Sequence, residues 1–172
     1  MIGGPACGKT ITAANVRAQL GFKGHNIELV DEKIKNWTYI PRTPKSCDNF
    51  YIQACQVQKE DLILRSGVDL IVTDSPLILQ YFYAKWHKVP LQEPMRKIAL
   101  EFERIYPSLH IFIGRKDEFY SSVGRYEKLE EAKKIDEAIK DTLVENNISF
   151  SHISCVGQDT IIEAIEIMLN LT

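Results

Sequence analysis

Eight residues near the start of the chain, Gly3-Gly4-Pro5-Ala6-Cys7-Gly8-Lys9-Thr10, spell the pattern G-x-x-x-x-G-K-[ST]. No other feature constrains the fold as tightly. A backbone that must turn many N–H groups toward one point needs glycine, because only glycine enters the required φ range without a steric cost. The helix expected to begin at about Gly8 adds its unpaired first-turn amides and the positive end of its dipole. Phosphate oxygens are the natural ligand of such a cradle. Lys9 is placed to reach the β- and γ-phosphates, the Thr10 hydroxyl to take one Mg²⁺ position, and Ile11 to close the set on the helix.

A loop of this kind should follow a buried strand, yet only Met1 and Ile2 precede Gly3. The expectation is a first strand cut to a stub. Cys7 lies inside the loop, where backbone amides favour a thiolate, although a small residue that merely fits explains it as well.

Apolar runs alternate between short β-like and longer helical segments. The pattern predicts helices over Thr10–Leu20, Phe50–Arg65, Leu77–Trp86, Glu93–Ile105, Lys128–Asn146 and Asp159–Leu171, with a short one over Asp31–Trp37. Strands are expected over Asn26–Val30, Val68–Thr73, Leu109–Ile113 and Ile148–Ser154. Such alternation indicates an α/β fold with a parallel sheet and ligands at the strand carboxyl ends. At 172 residues one domain, 1–172, is expected, with no repeat or linker.

Net charge of −2 gives no general attraction to nucleic acid. The four cysteines are scattered without ligand spacing, so neither a disulfide frame nor a zinc site is expected. No apolar run approaches the ~20 residues of a membrane span, and a cytoplasmic location is the expectation.

Three further groups carry chemistry. Asp74 ends the clearest strand, beside the loop in this architecture, where a carboxylate can orient Mg²⁺; helix capping is the alternative. Asp31 and Glu32 follow the second strand, where an acid can bind an acceptor hydroxyl and take its proton. The pattern does not separate the two, and Asp31 could equally cap a helix. Arg115 and Arg125 flank and enter a polar segment with Gly124, suited to a closing lid over about 114–127 that shields a phosphoryl in transfer.

The loop, Glu-Leu-Val-Asp-Glu after the second strand, Val-Thr-Asp-Ser-Pro-Leu after the third and Gly-Arg-Tyr-Glu-Lys-Leu-Glu-Glu-Ala-Lys-Lys-Ile-Asp fall in order. Together they resemble the P-loop kinase-like AAA-domain proteins common in bacteriophages and related to nicotinamide riboside kinase. The resemblance implies a three-layer α/β/α P-loop NTPase sandwich with a mostly parallel five-stranded sheet and a short lid. It also implies ATP and Mg²⁺ at Gly3 to Thr10, a catalytic or metal carboxylate at Asp74, an acceptor-side acid at Asp31 or Glu32, and Arg125 in the lid. The chain departs from the family at the stub strand and at Cys7.

The expected activity is therefore transfer of the γ-phosphoryl of ATP to a nucleoside, nucleotide or related small acceptor. A kinase of polynucleotide ends or modified DNA bases, using Arg42, Lys45, Lys85 and Lys88, is the alternative enzyme. A nucleotide-binding regulatory protein with slow hydrolysis is the alternative outside catalysis. For partners, nucleic acid and a second copy of the chain stay open; a membrane is not expected.

Overall fold

The computed structural model describes residues 1–32, 37, 42–115, 128–154 and 158–169. Among these residues the elements run, in order, α1 (Lys9–Phe22), β1 (Ile27–Val30), α2 (Asp48–Arg65), β2 (Leu70–Thr73), α3 (Leu77–Trp86), α4 (Gln92–Ile105), β3 (Ile111–Gly114), α5 (Leu129–Glu145), β4 (Ser151–Ser154) and α6 (Gln158–Leu169). Helix α3 has the expected bounds, and the other long helices differ from them by one or two residues. Asp31 and Glu32 are not helical. Their side chains turn instead to Lys59 and Ser75. The remainder of the helix expected over Asp31–Trp37 lies, apart from Trp37, outside the described residues.

All pairing is parallel, β1 with β2 and β3 with β4. Among the described residues the strands form two two-stranded sheets, not the single five-stranded sheet expected by resemblance. Between them run Met1 and Ile2. Ile2 donates to the Ile111 carbonyl and accepts from the Ile113 N–H, both at 2.8 Å, as an isolated parallel bridge to Phe112. The Met1 nitrogen donates to the Thr73 carbonyl at 2.6 Å. Two residues are too short for a ladder, so hydrogen bonding links the pairs at a point.

Side-chain alternation explains how both faces are covered. Ile111 and Ile113 point to one cluster, with Ala13, Val16 and Leu20 of α1 and Ile161 and Ile165 of α6. Phe112 and Ile2 point to the other, with α3, Ala99 of α4, and Ile135, Ile139 and Leu143 of α5. Helix α2 contrasts with these. Its buried positions are Ile52, Gln53, Gln56 and Glu60, so it packs a polar stripe inward. Among the described residues no helix is long and apolar enough to cross a membrane.

Candidate functional site

The loop leaves Ile2 at the carboxyl end of the central stub. Gly3, Ala6 and Gly8 all have positive φ, at 146°, 57° and 96°. At Gly3 a side chain is excluded twice, by that φ and by the Cys7 Sγ, which a Cβ would meet at 2.6 Å. Gly8 caps α1 without any side-chain hydrogen bond. The first amides of the helix therefore stay with the loop rather than with a capping oxygen.

Lys9 folds back over the loop, its Nζ donating to the carbonyls of Gly3 and Gly4 at 2.8 Å each. Cys7 is buried, with its Sγ 4.0 Å from the same Nζ. Pro5 lies between, and Ile11 is 75% exposed on α1, so only its main chain belongs to the cradle.

Thr10 and Asp74, 64 residues apart, meet directly: Thr10 Oγ1 donates to Asp74 Oδ2 at 2.5 Å. Asp74 is buried at the end of β2, and its Oδ1 has no hydrogen-bond partner. An orphaned buried carboxylate oxygen beside a threonine hydroxyl is the hard-oxygen donor set that Mg²⁺ takes. These residues fit the ion that the fold implies. Among the described residues no cluster of three or more His, Cys, Asp or Glu side chains could hold a metal alone.

The two acids after β1 separate. Asp31 is exposed and pairs with Lys59 of α2. Glu32 turns inward, its Oε1 accepting from Ser75 Oγ at 3.4 Å, one residue beyond Asp74. Behind them lies a polar relay. Gln80 Nε2 donates to the Ser75 carbonyl, and Thr73 Oγ1 accepts from the Ser75 N–H and from Gln56 Nε2. Gln56 also donates to Glu60 at 2.6 Å. Burial pushes the Glu60 carboxyl up to about 7.

Arg115 follows β3 but does not face solvent. It forms a buried ion pair with Asp136 of α5, Nε to Oδ2 at 2.8 Å. The other oxygen of Asp136 accepts the Gly4 N–H at 2.7 Å. One carboxylate thus ties the end of β3 to the phosphate loop. Asp136 ends the Gly-Arg-Tyr…Lys-Lys-Ile-Asp string, but the sequence suggests no role for it because its neighbours, Lys-Lys-Ile-Asp-Glu, look like a solvated helix. The signal was there in the period: Asp136 lies on the stripe of Ala132, Ile135, Ile139 and Leu143 that α5 buries. Arg125, and the lid from 116 to 127, lie outside the described residues.

The basic residues expected to line a nucleic-acid groove are partly engaged. Arg42 stacks 3.6 Å over the Trp37 ring and reaches Asp48, and Lys85 holds Glu145 at 2.5 Å.

Compared with known proteins, residues 1–159 match a family model described as an AAA domain. None of the curated proteins matches the chain. The match covers the loop, Asp74, Arg115 and Asp136 together, and on it the chain belongs to this P-loop NTPase-like AAA-domain family, whose fold is α/β and whose loop binds nucleotide.

Proposed function

We propose that the chain is an ATP- and Mg²⁺-dependent phosphotransferase, moving the γ-phosphoryl of ATP to a hydroxyl or phosphate of a nucleoside, nucleotide or related small acceptor. The observation that carries this reading is the second carboxylate. Glu32 stands on Ser75, next to the Thr10–Asp74 contact, at the carboxyl ends of β1 and β2. A hydrolase needs to orient only water. A transferase gains from an acid that binds the acceptor hydroxyl and takes its proton late in transfer.

In this reading the loop amides and Lys9 hold the triphosphate, Lys9 exchanging the Gly3 and Gly4 carbonyls for phosphate oxygens. Thr10 and Asp74 would hold Mg²⁺, which supplies charge neutralisation on the phosphoryl oxygens. Glu32 orients the acceptor, while Asp31 stays with Lys59 at the surface. Arg115, through Asp136, keeps the loop in shape, and Arg125 is the residue proposed to close over the transferring group.

ADP release from Mg-ATP, measured against nucleosides, nucleotides, nicotinamide riboside and oligonucleotides, tests the proposal. At least one acceptor class should raise turnover roughly tenfold or more above the water background. If none does, the transferase reading fails and slow hydrolysis takes its place.

A further inference from the structure

Strands β1 and β2 are parallel, so the helix between them runs back against them and begins at their carboxyl ends. Helix α3 begins at the same end, directly after Asp74-Ser75-Pro76, and α2 packs against α3 and α4. Asn49, Gln53 and Gln56 recur at helical spacing along the first turns of α2. Gln56 reaches Thr73 Oγ1 at 3.3 Å, the atom that also accepts the Ser75 N–H, so this polar stripe runs beside the end of β2.

Gln80 of α3 is 7% exposed, and its Nε2 donates to the Ser75 carbonyl at 3.4 Å and to Ser75 Oγ at 3.5 Å. Gln53 is fully buried, its Nε2 donating to the Met95 carbonyl at 3.0 Å. A carbonyl only accepts, so each amide keeps its nitrogen on that carbonyl and turns its oxygen elsewhere. Both of those oxygens, and Asn49 Oδ1, are buried without a hydrogen-bond partner among the described residues. Buried polar atoms are nearly always paired, and one left unpaired is costly. Glu32 Oε1, which accepts from Ser75 Oγ at 3.4 Å, adds a carboxylate to the same end. Every one of these atoms is an acceptor. A phosphate would bring more lone pairs and a negative charge to them, whereas hydroxyl, amino or carboxamide groups would bring the missing donors. The two bonds of Gln80 are long ones, so its amide can turn onto a ligand at little cost.

We propose that the acceptor site lies between the first turns of α2 and α3 and takes a neutral molecule rich in hydrogen-bond donors, with Gln80 Oε1 as the contact that sets specificity. Among the acceptors considered above, this favours a nucleoside over a nucleotide or an oligonucleotide. The inference rests on the transferase reading for what the ligand does, and on the amide oxygens for its chemistry. In the transfer, the acceptor hydroxyl oxygen bonds to the γ-phosphorus while the bond from that phosphorus to the β–γ bridging oxygen breaks. ADP leaves, and the hydroxyl proton passes to Glu32. Gln80 holds another donor of the same molecule and so orients it.

Calorimetry on the full chain, with Mg²⁺ and a non-hydrolysable ATP analogue, tests the site without relying on turnover. The probes are adenosine, cytidine, guanosine and uridine, each beside its 5′-monophosphate. At least one nucleoside should bind roughly tenfold or more tighter than its monophosphate. Gln80→Met, similar in length but without the amide, should weaken that nucleoside by roughly tenfold or more and narrow its lead over the monophosphate. A merely structural role would lower the melting temperature and leave the ratio between the two ligands unmoved. Equal or reversed affinities in the parent, or no binding by any nucleoside, would overturn the proposal. So would a folded Gln80→Met chain that keeps the nucleoside affinity within about threefold. Should that variant not fold, the preference of the parent chain decides alone. ADP release with the same probes separates this inference from the reaction. A nucleoside that binds with the expected preference but never raises turnover supports the site and removes the transferase reading. Turnover raised chiefly by monophosphates or oligonucleotides keeps that reading and overturns the site.

Discussion

The Asp136 carboxylate accepts the Gly4 N–H at 2.7 Å across 132 residues of sequence, and its other oxygen holds the Arg115 guanidinium. The shape of the phosphate loop therefore depends on a helix far along the chain. Removing one partner of a buried ion pair strands the other charge, at a cost of about 3–5 kcal/mol. Asp136→Ala should lose stability of that order in urea denaturation and weaken nucleotide binding in proportion. Gly4→Ala should act at the same joint, because its Cβ would meet Asp136 Oδ1 at 2.5 Å. A stability loss under about 1 kcal/mol for Asp136→Ala would show that the joint is dispensable.

Lys9 is half-buried, and among the described residues its Nζ bonds to the Gly3 and Gly4 carbonyls and approaches Cys7. Lys9→Ala should leave the fold intact by circular dichroism and lower ATP turnover by roughly 10²–10³-fold, the usual effect of removing one electrostatic donor. Turnover within threefold of the parent would remove Lys9 from the site.

Asp74 and Thr10 share one short hydrogen bond, with Asp74 Oδ1 left over. Asp74→Asn removes the charge but keeps the shape. The Mg²⁺ concentration for half-maximal activity should rise roughly tenfold or more. An unchanged Mg²⁺ titration would assign Asp74 to local structure alone.

Glu32 and Asp31 make a matched pair of controls. Glu32→Gln should reduce acceptor-dependent turnover by roughly 10²-fold with little change in ATP affinity. Asp31→Asn should change either by less than about threefold, since its partner Lys59 is an exposed side chain. The reverse ranking would move the acceptor-side acid to Asp31.

Glu60 predicts a pH dependence of stability. Its carboxyl is raised from 4.5 to about 7, first by burial, with the Gln56 hydrogen bond opposing. The folded state thus holds the proton more tightly than the unfolded chain. Its stabilising contribution is full below about 4.5 and is lost as pH rises through about 7, a change on the order of 3 kcal/mol. Glu60→Gln should flatten that slope in denaturation series between pH 5 and 8 and stabilise the protein at pH 8. An unaltered slope would place the titration elsewhere.

Helices α3 and α4 are legible because they carry continuous or sharply one-sided apolar patterns, and local propensity agrees with burial there. The expected strands begin one to three residues before the observed ones. Val68 and Asp69 look like β2, but Asp69 is spent closing onto Asn26, main chain to main chain at 2.8 Å and side chain to N–H. Likewise Ile148 bonds back to Leu143 at the end of α5 before β4 begins. Such closures depend on which loops meet, and no local pattern carries that.

By itself, the sequence determined the phosphate loop, because the φ values at Gly3 and Gly8 and the chemistry of Lys9 and Thr10 are properties of those residues at that spacing. It also determined that Asp74 ends a strand beside that loop. Only the tertiary structure decided that Thr10 and Asp74 touch, that Glu32 turns inward while Asp31 does not, and that Asp136 holds Gly4 and Arg115 together. Each of these joins residues between 21 and 132 positions apart. Backbone conformation is chosen locally, by sterics within a few residues. The partner of a carboxylate is chosen by packing, which pattern along a chain does not contain.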